Sequence, residues 1–398
     1  MRTAIIGNGV AGITVARLLR EQDAQSDLDV FTRETFPYYA RPQLIELLAG
    51  AIRQEALSFY PQDWYERQRM GVHYGETVHS IDPKTKELVL GGTRHAFDWL
   101  VIASGSDAFR PPIAHAELPG VFTLRTLADA LAIKDYAALH GCENALVVGG
   151  GLLGLEAAHA LRRIGINHVT VLEHNPRLLP RQLDAEGAHI LQRILASKGL
   201  GIELGASCRS FGGEERVEEF LLEDGRSFPA DLVLLSAGVR PALDFLAGSG
   251  IAINKGILSD DRLQTNIPQV LALGDVAEWQ GKIWGIIPPI LDQAPVVVST
   301  ILGGDRSYQG SVASNTLKVL GVDLLVAGVA QPSPGNLCEV RVANEDRQTY
   351  IKLVLEGVHL VGAICLGYKK LQAQLNRWVA EKKQMTVAEA HAIVDQNL

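Results

Sequence analysis

The stretch Thr3-Ala4-Ile5-Ile6-Gly7-Asn8-Gly9-Val10-Ala11-Gly12 is a short apolar run that leads into a glycine turn and then into a helical pattern. The same design returns about 140 residues later as Ala145-Leu146-Val147-Val148-Gly149-Gly150-Gly151-Leu152-Leu153-Gly154. In such a turn the first glycine makes the tight bend, the second admits a pyrophosphate close to the backbone, and the third packs helix on strand. A single copy is weak evidence, because glycine turns also serve structure alone. Two copies predict two dinucleotide-binding units.

A carboxylate near the end of the next strand indicates which dinucleotide each unit binds. The strand pattern Leu28-Asp29-Val30-Phe31 leads to Glu34, and Val169-Thr170-Val171-Leu172 leads to Glu173, which lies about 20 residues after the last glycine of its turn. Each carboxylate is expected to accept hydrogen bonds from an adenosine ribose, and Glu173 would repel a 2′-phosphate. The second unit is therefore expected to bind NAD, while His174 and Arg177 keep NADP as the alternative.

Composition narrows the class of protein. The chain has 398 residues, 47% of them hydrophobic, and a formal net charge of −8. This length allows two or three domains, and the negative charge argues against nucleic acid or an anionic membrane surface as the main partner. No apolar stretch approaches the roughly 20 residues that span a bilayer. A strand pattern that starts next to Met1 leaves no room for a signal peptide, so the expected location is the cytoplasm.

Cysteine spacing excludes several kinds of site. The four cysteines, Cys142, Cys208, Cys338 and Cys365, are scattered and form no Cys-x-x-Cys or Cys-x4-Cys pair. An internal iron–sulfur cluster, a local zinc site and a closely spaced redox dithiol are therefore not expected. The sequence also lacks His-Glu-x-x-His and Gly-x-Ser-x-Gly, so neither a metal site nor a hydrolase is predicted.

The order of strand and helix patterns predicts an α/β protein with one dinucleotide-binding domain inserted in another. Residues 1–106 and 239–308 are expected to form the first domain, and residues 107–238 the second. Residues 309–398 are expected to form a small α+β domain at the C-terminus. The patterns that support these boundaries are buried strands ending at Ala103-Ser104-Gly105 and at Ala237-Gly238, a return segment Thr265–Asp275, strands at 350–355 and 360–364, and amphipathic helices at 370–383 and 387–396.

Together these motifs resemble the pyridine nucleotide–disulfide oxidoreductase superfamily of FAD- and NAD-binding flavoproteins. The features that match are the two glycine turns, the two strand ends and the segment Thr265–Asp275. The resemblance implies that the first domain binds FAD and the second binds NAD. It also implies that residues 309–398 form an interface or dimerisation domain, which leaves open whether the chain is a homodimer or a subunit of a complex.

The resemblance assigns roles to individual residues. It places Asp275 at the flavin ribitol, Arg41 beside the isoalloxazine and Glu156 near the nicotinamide, where Arg41 could pair with Glu156 or stabilise the reduced flavin. The plainer alternatives are a surface arginine and an exposed carboxylate in the first turn of a helix. Arg110 is expected to reach the FAD phosphates. The complete set of expected cofactor-binding residues is Gly7, Gly9, Gly12, Glu34, Arg41, Pro42, Val78, Ala103, Ser104, Gly105, Arg110, Gly274 and Asp275 for FAD, and Gly149, Gly151, Leu152, Leu153, Gly154, Glu173 and Gly238 for NAD.

Within the superfamily, three blocks resemble rubredoxin reductases and the flavin-binding portion of NADH-dependent nitrite reductases. These blocks are residues 39–44, 179–184 and 317–323. The chain departs from the pattern at Gly367-Tyr368, where Gly-Asp is expected. It departs again at Pro295, where a helix that is usually unbroken should either begin or kink. No siroheme or iron–sulfur sequence follows residue 310, so a stand-alone reductase or a flavin subunit is expected.

Missing cysteines also indicate the reaction. Disulfide reductases of the superfamily carry a Cys-x4-Cys pair after the first unit, and related coenzyme A disulfide reductases, NADH oxidases and peroxidases carry a single cysteine there. The segment from Tyr38 to Gly50 contains none. The expected function is therefore an FAD-dependent NADH oxidoreductase that passes electrons to a separate one-electron carrier: rubredoxin, ferredoxin or an iron–sulfur subunit. The alternatives are an NADH oxidase or diaphorase that reduces oxygen or a small acceptor, and a non-catalytic NADH-sensing flavoprotein.

Overall fold

The computed structural model describes residues 1–311, 314–319, 321–331 and 337–396, with backbone alone at 62 and 314–319. Leu320, part of the third block of the resemblance, lies outside the described residues, as do 312–313, 332–336 and 397–398 of the predicted C-terminal domain. Contacts divide the chain into two compact units. The first comprises Met1–Gln43, Arg53–Asp107 and Val239–Ser311, and the second comprises Leu44–Ile52, Ala108–Gly238 and Val312–Leu398.

Helices and strands alternate through most of the chain. The α-helices are α1 Val10–Gln22, α2 Leu44–Leu48, α3 Gln62–Arg67, α4 Leu127–His140, α5 Leu152–Arg163, α6 Ala185–Ser197, α7 Ile287–Ile301, α8 Lys369–Ala380 and α9 Val387–Asp395. The short 3₁₀ turns are Arg41–Gln43, Gln54–Leu57, Asp244–Leu246 and Gly274–Val276. The strands are β1 Arg2–Ile6, β2 Asp27–Thr32, β3 Gly71–Tyr74, β4 Val78–Asp82, β5 Glu87–Leu90, β6 Thr93–Ala96, β7 Trp99–Ile102, β8 Ser106–Ala108, β9 Val121–Thr123, β10 Asn144–Val148, β11 His168–Glu173, β12 Gly201–Leu204, β13 Cys208–Gly212, β14 Glu219–Leu222, β15 Ser227–Pro229, β16 Leu232–Leu235, β17 Val239–Pro241, β18 Ile257–Ser259, β19 Val270–Ala272, β20 Ala277–Trp279, β21 Ser314–Val319, β22 Val322–Gly328, β23 Leu337–Asn344, β24 Thr349–Glu356 and β25 His359–Leu366.

A parallel sheet of order β19-β7-β1-β2-β3 forms the core of the first unit. Successive side chains of β1 point to opposite faces, as the strand period of two requires. Ile5 joins the apolar cluster that includes α1 and α7, whereas Ile6 joins the cluster that includes Leu88 on β5. Because all five strands run in the same direction, the residues that follow β1, β7 and β19 meet at one edge.

The second unit contains a parallel sheet of the same kind, of order β12-β11-β10-β16-β9. Val147 on β10 lies opposite Val171 on β11 and Leu234 on β16, and all three are fully buried. Helix α5 follows β10 and packs on β10 and β11. The predicted α/β class with two Rossmann-like domains is confirmed.

The C-terminal part of the second unit is an antiparallel sheet of order β21-β22-β25-β24-β23. Helix α8 packs on β22 and β25, and α9 packs on β23 and β24. The sheet is tied to the N-terminus of α6 by an ionic cluster. The ammonium of Lys352, which is 2% exposed, lies 3.1 Å from Asp184 and 2.9 Å from Glu339. Asp184 in turn caps α6 by accepting a hydrogen bond from the Gly187 amide.

Helix α2 belongs to the second unit, although its sequence neighbours on both sides belong to the first. Leu44, Leu47 and Leu48 are buried, and the helix packs against α4 and α5. The sequence-based boundary at residue 106 did not separate this helix, because a five-residue apolar segment shows no preference for either core. The division into three domains stays a prediction.

Helix α7 resolves the question raised by Pro295. It begins at Ile287, with Pro288 and Pro289 in its first turn, and contains Pro295 in its interior. The alternative that the helix starts at Pro295 is therefore wrong. Prolines in the first turn are tolerated because the amide hydrogens there have no partner within the helix. Within the described ranges, no helix has the length and apolar character needed to cross a bilayer.

Candidate cofactor sites

The three glycines of the first turn serve different purposes. A Cβ atom on Gly7 would lie 2.2 Å from the carbonyl oxygen of Ala103, and one on Gly12 would lie 1.9 Å from that of Gly7. Both glycines are therefore required by packing alone. A Cβ on Gly9 would meet no described atom within 4 Å, although Gly9 directly precedes the first turn of α1. The open space at Gly9, beside the amide groups of a helix N-terminus, fits a pyrophosphate.

The second turn repeats this arrangement. A Cβ on Gly149 would lie 2.3 Å from the carbonyl oxygen of Ser236, and one on Gly154 would lie 2.0 Å from that of Gly149. A Cβ on Gly151 would meet nothing within 4 Å among the described atoms. Leu152 and Leu153 follow directly in the first turn of α5. The residues present thus fit a second dinucleotide by the same criterion.

Glu34 accepts two hydrogen bonds within the first unit. Arg41 Nη2 donates to Glu34 Oε1 at 2.6 Å, and the Tyr39 hydroxyl donates to Glu34 Oε2. Arg41 Nη1 also lies 3.2 Å from the Tyr39 hydroxyl. The sequence predicted separate roles for Glu34 and Arg41, at the ribose and at the flavin, and gave no sign that they pair. Both roles stay predictions, as does the pairing of Arg41 with Glu156.

Other expected FAD residues gather at the carboxyl edge of the first parallel sheet. Gly274 and Asp275 follow β19, next to Ala103-Ser104-Gly105 after β7. Asp275 accepts a hydrogen bond of 2.7 Å from the Ser106 hydroxyl, and the Gly274 amide donates to Gln293 Oε1 at 2.9 Å. Ser106 and Gln293 were not predicted. Gln293 is 1% exposed on α7, and a lone glutamine inside a helical pattern carries no signal that could have revealed it.

Four further candidates lie outside the groups described above. Val78 is buried at the start of β4 in the apolar cluster that includes Ile6, and Pro42 lies in the 3₁₀ turn 41–43. Arg110 donates to the carbonyl oxygens of Ala116 and Val121 at 3.1 and 3.3 Å. These bonds compete with the expected contact to the FAD phosphates, which stays a prediction. Gly238 accepts a hydrogen bond from the Phe109 amide.

Glu173, at the end of β11, accepts hydrogen bonds on both of its carboxylate oxygens. It is 6% exposed, and its Oε2 accepts a hydrogen bond of 2.6 Å from the Gly150 amide. Its Oε1 accepts from the backbone amide of Asn175 at 2.8 Å and from the Asn175 side chain at 2.6 Å. These donors fix the orientation of the carboxyl group at the end of β11. Asn175 was missed, because its role depends on the turn after the strand.

Glu156 lies half-buried on α5, one helical turn beyond Leu152. Its burial, and then the negative charge of Glu46 on α2, raise the pKa of Glu156 to about 7. Arg163, also on α5, lies 3.5 Å from Glu46. Glu156 is therefore not the exposed first-turn carboxylate of the plainer alternative. With a pKa of about 7, it can change protonation near neutral pH.

We expect Glu156→Gln to change the pH dependence of stability. The folded protein holds the proton of Glu156 up to a higher pH than the unfolded chain does, so this group lowers stability as pH rises from about 4.5 to about 7. The variant should therefore melt at a higher temperature than the parent at pH 8, by a margin that shrinks towards pH 5. Thermal unfolding across this range measures it.

Glu46→Gln is the matched control for that pH dependence. It removes the neighbouring charge but leaves the burial, which is the larger cause, so the inflection assigned to Glu156 should move to lower pH without vanishing. A difference in melting temperature between Glu156→Gln and the parent that stays constant from pH 5 to 8 would contradict the assignment.

Comparison with known proteins agrees with this geometry. Residues 1–299 match the family model described as pyridine nucleotide-disulphide oxidoreductase. The chain belongs to this family. Residues 314–383 match a second model, the rubredoxin NAD⁺ reductase C-terminal domain. The predicted family resemblance and the predicted cofactors, FAD and NAD, are confirmed.

Relatives of this family member include both enzymes of similar length and much longer ones. A nitrite reductase [NAD(P)H] of Bacillus subtilis is 35% identical over 370 residues, which are 91% of this chain and 45% of that protein. An NADH-rubredoxin oxidoreductase of Clostridium acetobutylicum is 31% identical over 95% of this chain and 94% of its own. The crystal structure of NADH:rubredoxin oxidoreductase from Clostridium acetobutylicum aligns with a TM-score of 0.81 at 30% identity, covering 100% of this chain and 99% of that one. The chain spans about half the length of this nitrite reductase and of other curated relatives that it matches.

Proposed function

We propose that this chain oxidises NADH and delivers the electrons, one at a time, to a separate electron-carrier protein. The balanced reaction converts NADH and two oxidised carriers into NAD⁺, two reduced carriers and one proton. FAD, when bound, supplies the step from a two-electron donor to a one-electron acceptor. The observation that carries the proposal is the pair of glycine turns, each with open space at its second glycine, in a chain without a cysteine between Tyr38 and Gly50. One relative of matching length is an NADH-rubredoxin oxidoreductase.

In this proposal the residues of the chain act by binding and positioning. Hydride transfer needs donor and acceptor atoms about 3–3.5 Å apart and requires no proton from a side chain on the nicotinamide side. Gly149, Gly151 and Gly154 would hold the NADH pyrophosphate, and Glu173 its adenosine ribose. Glu156 would lie near the nicotinamide, and Arg41 near the flavin. Rubredoxin, ferredoxin and an iron–sulfur subunit all remain candidate acceptors.

The surroundings of Arg177 support NADH over NADPH as the donor. Its guanidinium donates to the carbonyl oxygens of Leu183 and Pro180 and to Gln331, each at 3.2 Å. It is therefore engaged in holding the segment after β11. Glu173, in contrast, would place a carboxylate beside the 2′-phosphate of NADPH, and the amides of Gly150 and Asn175 fix its orientation.

We expect Glu173→Gln to reduce the preference for NADH over NADPH. The substitution replaces the carboxylate by a neutral amide with one acceptor oxygen, so the ribose of NADH loses a charged hydrogen bond worth about 1–3 kcal/mol, or roughly 10–100-fold in kcat/KM for NADH. Steady-state kinetics with both nucleotides measure the ratio. Arg177→Ala is the control, and it should change kcat/KM for both nucleotides by the same factor. A selective loss of NADPH activity in Arg177→Ala would mean that Arg177 binds the 2′-phosphate after all.

Anaerobic stopped-flow mixing with NADH tests the proposed function. Flavin absorbance should bleach rapidly, recover slowly with air, and recover rapidly with a rubredoxin or a ferredoxin. Rapid recovery with air alone would instead establish an NADH oxidase. No bleaching would contradict the assignment of the second glycine turn to NADH.

Two finer points belong to the same proposal. We place the protein in the cytoplasm, and the four cysteines, all within the described residues and all unpaired, support a reducing compartment. We also propose that the carrier is a separate chain or subunit. Cell fractionation and co-purification test these two points.

A further inference from the structure

Helix α8 and the turn after it carry an unusual concentration of positive charge. Residues 369–383 contain five basic side chains and one acidic one, Glu381, a local balance of +4 in a chain whose formal net charge is −8. Lys383 forms a cation–π contact, with its ammonium 3.5 Å from the ring centroid of Trp378. The other four form what we call the α8 basic surface: Lys369, Lys370, Arg377 and Lys382, all exposed.

The helix period places Lys370 and Arg377 on one side of α8. Gln372, Leu375 and Val379 are the buried residues of α8, whose partners are β22 and β25. At 3.6 residues per turn, Lys370 and Arg377 point away from this buried side, two turns apart and about 10 Å from each other along the axis. The cations therefore face solvent rather than the C-terminal sheet.

The carboxylates that the structure describes do not pair with this surface. Among the described residues, none lies within ion-pair distance of the four cations, whereas Arg341 and Lys352 of the neighbouring sheet each have a carboxylate partner. Four like charges without counter-charges repel one another, and an acidic partner would relieve that repulsion.

We propose that the α8 basic surface is the docking site for the electron carrier and that the carrier presents an acidic face to it. The proposal rests on the proposed function. An acidic carrier is repelled by a chain of net charge −8 except where the local charge is positive, so this surface would both steer and orient it. A second copy of the chain fits less well, because a two-fold interface would set the same cations against each other. The C-terminal domain match to rubredoxin NAD⁺ reductases includes this helix.

Charge reversal of the two central residues tests the proposal. Lys370→Glu with Arg377→Glu should lower kcat/KM for NADH-driven reduction of an acidic rubredoxin or [2Fe–2S] ferredoxin by roughly tenfold or more at low salt. The fall of kcat/KM with rising salt, steep in the parent, should flatten. Reduction of menadione, an uncharged acceptor, should keep the parental rate, because hydride transfer from NADH does not involve this surface.

A matched control separates the local surface from net charge. Lys84→Glu with Arg209→Glu changes the net charge by the same amount at two exposed positions outside α8, neither of which forms an ion pair with another described residue. This control should reduce the carriers as the parent does. Equal losses in both double variants, or parental carrier kinetics in the α8 variant, would overturn the proposal. The proposal would also be overturned if the parent sedimented as a dimer and the α8 variant as a monomer. The same holds if phosphatidylserine vesicles bound the parent but not the variant while both reduced the carrier equally fast. Failure of the parent to reduce menadione would instead contradict the proposed function.

Discussion

Replacing Gly151 by alanine is expected to leave the protein folded and able to bind FAD, while NADH reduces the flavin at least tenfold less efficiently. The added Cβ meets no described atom within 4 Å, so the folded chain accommodates it. It would, however, occupy the space that a pyrophosphate needs beside the amide groups at the N-terminus of α5. An increase in the apparent dissociation constant for NADH in anaerobic stopped-flow, with an unchanged melting temperature, is the expected result.

Gly154→Ala is the informative comparison for Gly151→Ala. Its Cβ would lie 2.0 Å from the carbonyl oxygen of Gly149, so the helix and the strand must separate. Overpacking of this kind typically costs about 1–3 kcal/mol or more, and the melting temperature should fall. Gly9→Ala is the counterpart in the first turn and should lower FAD occupancy without affecting NADH affinity of the residual holoprotein. Parental NADH kinetics in Gly151→Ala would contradict the proposed pyrophosphate position.

Replacing Lys352 by methionine is expected to destabilise the second unit by about 3–5 kcal/mol. The substitution nearly preserves the shape of a buried side chain but leaves Asp184 and Glu339 without their shared cation. Burial alone raises the pKa of Asp184, whereas hydrogen bonds from Tyr350 and Gly187 and the charge of Lys352 bring it below its usual value. Without the ammonium, the parental arrangement holds two carboxylates close together with one fewer donor. Urea unfolding followed by circular dichroism measures the loss.

Two comparisons test whether burial causes the loss in Lys352→Met. Arg67→Met removes an exposed ion pair with Asp63, whose side chains are 62% and 59% exposed, and should cost at most about 1 kcal/mol. Combining Lys352→Met with Asp184→Asn and Glu339→Gln should recover much of the stability, because no uncompensated charge remains. Similar losses for Arg67→Met and Lys352→Met would show that the buried cluster has no special role.

Much of the fold could be predicted because residues close together in the sequence determine it. A glycine turn between an apolar run and a helix involves about ten adjacent residues, and its conformation depends mainly on them. The two dinucleotide-binding units, and the end of β11 at Glu173, followed from such patterns. The unit to which helix α2 belongs did not follow from such patterns, and neither did the position of Pro295 within α7. Both depend on the core against which the helix packs.

The sequence by itself determined the two dinucleotide-binding units, the carboxylate at Glu173 and the absence of a cysteine at the flavin-side loop, since each is a matter of residue type and spacing. Only the tertiary structure decided which side chains from distant parts of the chain pair with each other. Ser106 and Asp275 are 169 residues apart, and Asp184 and Lys352 are 168 apart, yet each pair shares a hydrogen bond. The physical reason is that hydrogen bonds and ion pairs between distant segments form wherever the packed strands bring donors and acceptors together, and no local pattern encodes that meeting.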